Sequence, residues 1–355
     1  MKTLDFYLIR MVLAPTIGGS LLALLVYSAF ALASLMRDSA LASAPLATMA
    51  ALVGVRDLIA LEIILPSAFY LSTIMAFGAW HRDREAYACY ATGIAPARIE
   101  RPLILLALVV ALLVGILSLY ARPWSYKLSF ALQERITQLT SELLQPGTFY
   151  RWNDQLVIHA QQVHDQEPRL EDVFAAQRDD DNFRVIRSHH ARISAPDADN
   201  RQTLEFLDGD IHELSMVDGS RRQTSFARLV YQTQSAESRR AMHRRTLKYG
   251  QLMDSESAKD RAEAQWRACI PAVTFMIGLI AIRLGHVRPL QSTYARLGIG
   301  IAIYVVVFNL VNLLSSAVEQ EQMPPWPGLF AIVPVLVIVY AAMTRLPALT
   351  LRPRS

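Results

Sequence analysis

Hydrophobic residues in this chain form long runs separated by polar connections. The runs lie at residues 13–35, 58–80, 102–120, 266–284, 297–318 and 329–343. An α-helix rises 1.5 Å per residue, so about 20 apolar residues cross the roughly 30 Å hydrocarbon core of a bilayer. The pattern predicts an α-helical membrane protein with six transmembrane helices, of which the fourth and sixth are short enough to require tilt or local thinning of the bilayer.

The long stretch between the third and fourth runs has a different composition. Short β-rich segments recur in it, at residues 156–160, 170–174, 183–186, 203–207 and 226–231. Turn-forming pairs such as Asp208-Gly209 and Asp218-Gly219 separate them, which is typical of an all-β sandwich or jelly roll. Polar helical segments at 126–144 and 255–265 flank this region as predicted stalks.

The sequence therefore predicts three parts. Residues 1–121 hold transmembrane helices 1–3 and a short connecting helix at about 81–98. Residues 122–265 form the inserted all-β, jelly-roll-like domain with its stalks, and residues 266–355 hold helices 4–6.

Arginine and lysine predict the orientation of these helices. Positive residues in short loops mark the cytoplasmic side of a membrane protein. Six spans bring all of these to one side: Lys2, Arg10, Arg82, Arg84, Arg98, Arg101, Arg283, Arg288, Arg296, Arg345, Arg352 and Arg354. The loop between spans five and six carries Glu319 and Glu321 and no positive residue. We therefore expect both termini to be cytoplasmic and the β domain to be periplasmic.

Composition and motifs exclude several functions. The net charge of +4 comes from residues beside apolar runs, which indicates membrane orientation rather than nucleic-acid binding. No phosphate-binding G-x-x-x-x-G-K-[ST] loop is present, so any ATP hydrolysis must belong to a partner. Neither H-E-x-x-H nor G-x-S-x-G occurs, and the histidines of the β domain are scattered, so no catalytic residue, metal site or cofactor is expected.

Three polar residues in or beside the spans are candidates for lipid contact. Asn309 and Asn312 share a face of the fifth helix, where amides either bond to other helices or line a substrate path. Arg37 closes the first span. It either reaches the membrane interface or pairs with a phosphate on an amphiphilic substrate, for which a guanidinium is well suited.

The loop between spans two and three carries a further candidate. Its pattern predicts a short helix from about Asp83 to Thr92, with Gly93 at the C′ position and Pro96 opening the next helix. This helix, with Arg84 and Glu85 at its start, is either a solvated connector or a knob that docks into a cytoplasmic motor.

Several motifs, in this order, resemble the LptF/LptG family of permeases of the lipopolysaccharide-export ABC transporter over essentially the whole chain. The motifs are at residues 7–10, 35–37, 82–85, 91–94, 146–150, 265–267 and 324–326. The β domain, at residues 147–150, 156–158, 172–174 and 185–186, is more similar to LptF than to LptG. The chain departs from the family at Arg84 and Ala95, where serine is usual.

The resemblance implies an inner-membrane half-transporter. A second, LptG-like permease would complete a cavity that takes lipopolysaccharide from the inner membrane, and an LptB-like ATPase dimer would supply the power. Periplasmic jelly-roll proteins, similar to LptC and LptA, would receive the lipid. Arg84, Glu85 and Gly93 would belong to the coupling helix, and Arg37 would lie at the cavity mouth. The alternatives are a membrane-anchored periplasmic scaffold and a mechanotransmitting ABC permease that carries no lipid.

Overall fold

The computed structural model describes residues 2–37, 45–142, 149–151, 156–163, 169–178, 182–193, 203–215, 220–232, 244–255, 257–286, 293–324 and 326–345. Its principal helices are α1 Lys2–Arg37, α2 Leu46–Arg82, α3 Glu85–Ala91, α4 Pro96–Ile116, α5 Arg122–Glu142, α6 Tyr249–Met253, α7 Ala258–Leu284, α8 Thr293–Glu319 and α9 Ile332–Arg345. Within the described residues the chain divides into two compact units. One comprises Met1–Ala31, Val53–Ser129 and Arg244–Ser355, and the other Leu32–Leu52 and Phe130–His243.

In the part of the chain that the structure describes, six helical segments are long and apolar enough to cross a membrane, as the hydrophobic runs predicted. They are Thr3–Met36, Leu46–Arg82, Pro96–Gln133, Ala258–Leu284, Leu297–Glu319 and Gly328–Arg345. Most extend beyond the apolar runs, because polar turns continue the same hydrogen-bonded helix. The fourth segment, at 27 residues, is much longer than its 266–284 run, because the predicted stalk at 255–265 is largely part of α7.

The third span continues through a wider helical turn into α5. Leu117–Ala121 forms a π-helical turn, in which the backbone N–H of Arg122 bonds to the carbonyl of Leu117. Pro123 follows at once and has no N–H to donate to the carbonyl four residues earlier. A turn with i→i−5 bonds lets the helix pass this proline without ending. The predicted stalk is therefore the direct extension of the third span.

α7 is the central helix of the first unit. It packs against α4, α8 and α9. In its most apolar stretch 67% of the residues are buried, compared with 17% in the corresponding stretches of α1 and α8. Gly278 permits a close approach to its neighbours, because a Cβ there would lie 3.0 Å from both Ala107 and Phe69. α1 and α8 therefore present broad apolar faces outward, whereas α7 holds the unit together.

The second unit contains a six-stranded antiparallel sheet. Its strands are β1 Phe149–Arg151, β2 Leu156–Val163, β3 Arg169–Arg178, β4 Asn182–Ile193, β5 Thr203–Ser215 and β6 Arg221–Gln232. They pair in chain order, so β1 and β6 are the edges of the described sheet. One face buries a small apolar core that includes Leu170, Val173, Ile186, Leu204 and Phe206. This confirms a β domain, but the described strands form a single meander, so a jelly roll is not confirmed.

The sheet is kinked along a line that crosses β3, β4 and β5. Asp172 in β3 and Asp208 in β5 both have positive φ, at 48° and 50°. The strand register places His189 of β4 between them, and its Nδ1 lies 3.0 Å from the carbonyl oxygen of Asp208. Along β3 the buried positions change phase at this line, from Leu170 to Val173. Each strand is thus longer than uninterrupted alternation would indicate.

Asp208-Gly209 was predicted as a turn between strands, and that prediction is wrong. Both residues lie inside β5, at the kink. Gly209 is required there because a Cβ would collide with the carbonyl oxygen of Arg187 and with the ring of Phe226. The same residue pair that favours a tight turn also allows a strand to bend.

Candidate functional site

The short helix α3 has well-defined ends. Arg84 precedes it in the left-handed conformation, with φ of 64°, and Glu85 is its first residue. At the other end, the Gly93 N–H bonds to the Tyr90 carbonyl and the Ile94 N–H to that of Cys89, which together form a Schellman motif. Gly93 has φ of 85°, as the C′ position of this motif requires. The sequence predicted this geometry, with the helix slightly longer than observed.

Glu85 lies on the exposed side of α3. Its Oε2 accepts a hydrogen bond of 2.8 Å from the hydroxyl of Tyr7, near the start of α1. Ala86, by contrast, is fully buried against the helical core. Arg84, Glu85 and Gly93 are therefore brought together on one small, solvent-exposed element whose opposite side is anchored.

An ion pair fixes the connection that follows α3. Arg98 at the start of α4 contacts Asp5 of α1 at 3.1 Å, and both side chains are about one-third exposed. Together with the Tyr7–Glu85 hydrogen bond, it ties the beginning of α1 to the α3 region.

A buried polar cluster surrounds Glu62 of α2. Glu62 lies 20 residues before Arg82, which corresponds to about 30 Å of helix at 1.5 Å per residue. Glu62 is 1% exposed and accepts hydrogen bonds from Ser118 at 2.9 Å and Trp266 at 3.3 Å. Arg122 donates to its other oxygen at 2.8 Å. One carboxylate thus connects α2, the π-helical turn, α5 and α7.

The same cluster continues through Glu263 to a fully buried arginine. Arg122 contacts Glu263 at 3.1 Å, and Arg267 contacts the same oxygen at 2.9 Å. Arg267 also donates to the backbone carbonyls of Leu247 at 2.7 Å and Arg245 at 3.0 Å. Two arginines and two carboxylates therefore neutralise each other in the interior of the first unit. The sequence marked the 265–267 motif only as part of the family resemblance and did not predict its contact with this cluster.

The predicted lipid-contact residues are placed as follows. Asn309 and Asn312 are exposed on α8, and each donates at 2.8 Å to a carbonyl of its own helix, those of Val305 and Phe308. Their amides are thus used within α8, on a face that the described chain leaves open. Arg37 is the last residue of α1, and its side chain lies outside the described residues.

Metal coordination finds no support in the part of the chain that the structure describes. No group of three or more His, Cys, Asp or Glu side chains there is arranged to hold an ion. Cys269 is buried and Cys89 half-buried, and both are free thiols.

Comparison with known proteins agrees with this arrangement. The family model described as "Lipopolysaccharide export system permease LptF/LptG" matches residues 6–347. The chain is also similar to lipopolysaccharide export system permease protein LptF of Escherichia coli K12 and of Shigella flexneri, at 21% identity in each case over 336 residues. These matches cover 90% of this chain and 88% of the relatives. A membrane protein with six spanning helices and an inserted β domain, matched over nearly its whole length, belongs to the LptF/LptG family of lipopolysaccharide export permeases.

Proposed function

We propose that this chain is the permease half of an ABC transporter that extracts lipopolysaccharide from the inner membrane and passes it to a periplasmic β-domain bridge. Membership of the LptF/LptG family is the observation that carries the proposal. The chain does not hydrolyse ATP itself in this proposal, and an LptB-like ATPase dimer supplies the energy.

The outward apolar faces of α1 and α8 support a second permease. Leu21, Leu22, Leu25 and Phe30 of α1 are each more than 60% exposed. On α8, Leu313 is 65% exposed and lies beside Asn312. An LptG-like permease and the lipid together would cover these faces, and Asn309, Asn312 and Arg37 would contact the lipid. Helices that carry polar groups among exposed apolar ones suit a lipid with both phosphates and acyl chains.

The geometry of α3 supports a docked motor. A short helix that is buried on one side and presents Arg84 and Glu85 on the other suits insertion into a groove on the ATPase. In this proposal Glu85 pairs with a basic residue of the motor, and Gly93 fixes the return of the chain into α4.

Residues 122–265 are proposed as the periplasmic module that receives the lipid. LptC/LptA-like proteins would extend it by pairing along an open edge of the sheet. β6 is one such edge in the described sheet, and it carries Arg221, Arg222 and Arg228.

Purification with bound lipid tests the transport proposal against a scaffold. We expect the detergent-solubilised chain to co-purify with lipopolysaccharide, a second permease and an ATPase, identified together by mass spectrometry. A matched purification of an unrelated six-span protein from the same membranes is the control for carried-over lipid. Recovery of periplasmic proteins with neither lipopolysaccharide nor an ATPase would indicate a scaffold instead.

Thiol labelling tests the orientation. In a background without Cys89 and Cys269, cysteine at Thr92 should stay unlabelled by an impermeant reagent in intact cells, because α3 faces the cytoplasm. Cysteine at the exposed Arg187 of β4 should label. After membrane disruption both should label, which shows that each thiol is accessible. The reverse pattern in intact cells would invert the topology.

Photo-crosslinking tests the bridge. A photoreactive residue at Thr224 of β6, which is exposed at the sheet edge, should capture a second periplasmic β protein. The same group at Arg187, which is exposed on the inner strand β4, is the matched control and should capture much less. Equal capture at both positions, or capture of lipid alone, would contradict strand addition at β6.

A further inference from the structure

Two histidines lie in ring contact beside α3, tilted by 48° to each other. His81 lies in the last turn of α2 and is 2% exposed, and His286 follows the end of α7. Their ring centroids are 4.8 Å apart. Phe77 meets both rings edge-on, at 4.5 Å and 5.1 Å. This packing joins the ends of α2 and α7 through aromatic contacts.

The hydrogen bonds of His81 assign its tautomer. Its Nδ1 lies 2.9 Å from the carbonyl oxygen of Phe77, and a carbonyl can only accept, so Nδ1 carries a proton. Its Nε2 lies 3.3 Å from the hydroxyl of Tyr90 on α3, which can donate. Burial raises the pKa of Tyr90, so this hydroxyl keeps its proton. These contacts are those of a neutral imidazole that accepts a hydrogen bond from α3.

The contacts of His286 assign a different charge. Its Nδ1 lies 3.0 Å from the carbonyl oxygen of Ile282, and its Nε2 lies 3.3 Å from Oε1 of Glu100. Both partners are acceptors, so the ring can donate to both only as the doubly protonated imidazolium. Repulsion between like charges also favours a neutral His81 at 4.8 Å.

Glu100 connects this pair to α4 and α7. It is 7% exposed, and its Oε1 also contacts Arg283 of α7 at 3.2 Å. Arg283 in turn lies over the ring of Tyr340 in α9, at 5.7 Å. The titratable groups around the two imidazoles include Glu100, Arg283, Tyr90 and, at a ring distance of 6.4 Å from His81, Tyr87.

We propose that His81 and His286 are positioning residues that connect α3 to α4 and α7. The link runs from the Tyr90 hydroxyl to neutral His81, across the tilted ring contact to the His286 imidazolium, and on to the Glu100 carboxylate. It rests on the proposed function, in which α3 receives force from the ATPase. Displacement of α3 then moves the ends of the two helices that pack most closely in the first unit.

The side chains of this link are closely packed. Gly285, next to His286, lies against Phe77 so closely that a Cβ there would be 2.9 Å from the ring. Phe77 also stacks on Trp80 at 5.7 Å. Close-packed groups transmit displacement rather than absorb it.

Nitrogen NMR of the histidines tests the charge assignment without the ATPase and without lipopolysaccharide. The full chain, labelled with ¹⁵N-histidine, is placed in bilayers at neutral pH, and His286→Gln and His81→Gln identify the two signals among eight histidines. We expect one imidazolium, at His286, and one neutral Nδ1–H ring, at His81. Glu100→Gln should remove the imidazolium signal. Two neutral rings, or an imidazolium that survives Glu100→Gln, would overturn the assignment.

The position of α3 provides the second readout. A spin label at Thr92 should become more mobile in Tyr90→Phe and in His286→Gln, because each breaks one contact of the link. Tyr87→Phe is the matched control on the same helix and should leave the label unchanged. Unchanged mobility in both test variants would overturn the positioning role. So would an increase in Tyr87→Phe as large as that in the test variants.

Coupling in the assembled transporter completes the test. With the ATPase and second permease present, His286→Gln should lower the lipid released per ATP by at least about fivefold, the lower end of typical coupling between sites. If α3 becomes more mobile in His286→Gln but the lipid released per ATP is unchanged, transmission by this link is overturned. If the NMR and spin-label results hold but the wild-type complex releases no lipid, the proposed function fails and the structural link stands.

Discussion

Replacing Glu85 with lysine is expected to abolish ATP-driven lipid release while leaving the six-helix fold intact. The carboxylate is exposed on α3, and the one hydrogen bond it makes in the described structure is the 2.8 Å contact with Tyr7. In the transporter it would pair with a basic residue of the ATPase across a partly desolvated contact. Truncating one member of such a pair costs about 2–5 kcal/mol, and lysine adds repulsion.

Matched variants separate this effect from simpler ones. An acidic residue in the first turn of a helix gains only about 0.3–1 kcal/mol from the helix dipole, so a purely local role predicts a small loss for Glu85→Ala. Tyr7→Phe removes the intrachain hydrogen bond alone. Asp83→Lys makes the same charge change outside α3, next to its 3.1 Å partner Arg82. Complex assembly, ATPase rate and lipid release are measured together. If the Glu85→Lys variant assembles normally and releases lipid at the wild-type rate, Glu85 acts only as a charge at the helix end.

Replacing Arg122 with leucine is expected to destabilise the helical unit strongly. It leaves Glu62, at 1% exposure, with neutral donors only, Ser118 and Trp266. Removing one partner from a buried ion pair costs about 3–5 kcal/mol, because the remaining charge is uncompensated. The thermal unfolding midpoint of the detergent-solubilised protein should fall by many degrees.

The double replacement Arg122→Leu with Glu62→Leu is the sharper control. It removes both charges and should recover most of the lost stability, since apolar pairs often replace buried ion pairs without penalty. Arg98→Leu breaks the exposed pair with Asp5 and should cost about 1 kcal/mol or less. A midpoint for Arg122→Leu equal to that of Arg98→Leu would show that the buried cluster does not hold the unit together.

Most of the architecture could be predicted from hydrophobic periodicity. All six spans are found where the apolar runs lie, because burying a helix in lipid needs a continuous apolar stretch. Helix ends were predicted less well. The run at 58–80 gives no sign that α2 begins at Leu46, since small and polar residues continue a helix that is already formed. The run at 102–120 and the polar segment at 126–144 were predicted as separate helices, whereas the π-helical turn before Pro123 carries one helix onward.

In the β domain the prediction located β2 to β6 but missed β1, and it underestimated the lengths of the strands it located. β5 runs from Thr203 to Ser215, although alternation indicated only 203–207. Alternation changes phase at Asp208, so the pattern past the kink no longer matches one face. Short windows detect a strand by its period of two and lose it where a left-handed residue shifts that period.

The candidate site residues also differ in how well they could be predicted from the sequence. Local signals sufficed for α3, because a Gly93 C′ position and a following Pro96 define helix ends within a few residues. The cluster around Glu62 and the pair His81–His286 could not be predicted, because each joins residues about 200 positions apart. Isolated polar residues next to apolar runs were the only signal of either.

ATP-driven release of lipopolysaccharide from proteoliposomes tests the central claim most directly. Vesicles would contain this chain, an LptG-like permease and an LptB-like ATPase, with lipopolysaccharide in the bilayer and a periplasmic β protein outside as acceptor. We predict transfer to the acceptor that requires ATP and stops when this chain is omitted or carries Glu85→Lys. Transfer that continues without this chain, or ATP hydrolysis by the full complex with no lipid transferred, would contradict the account.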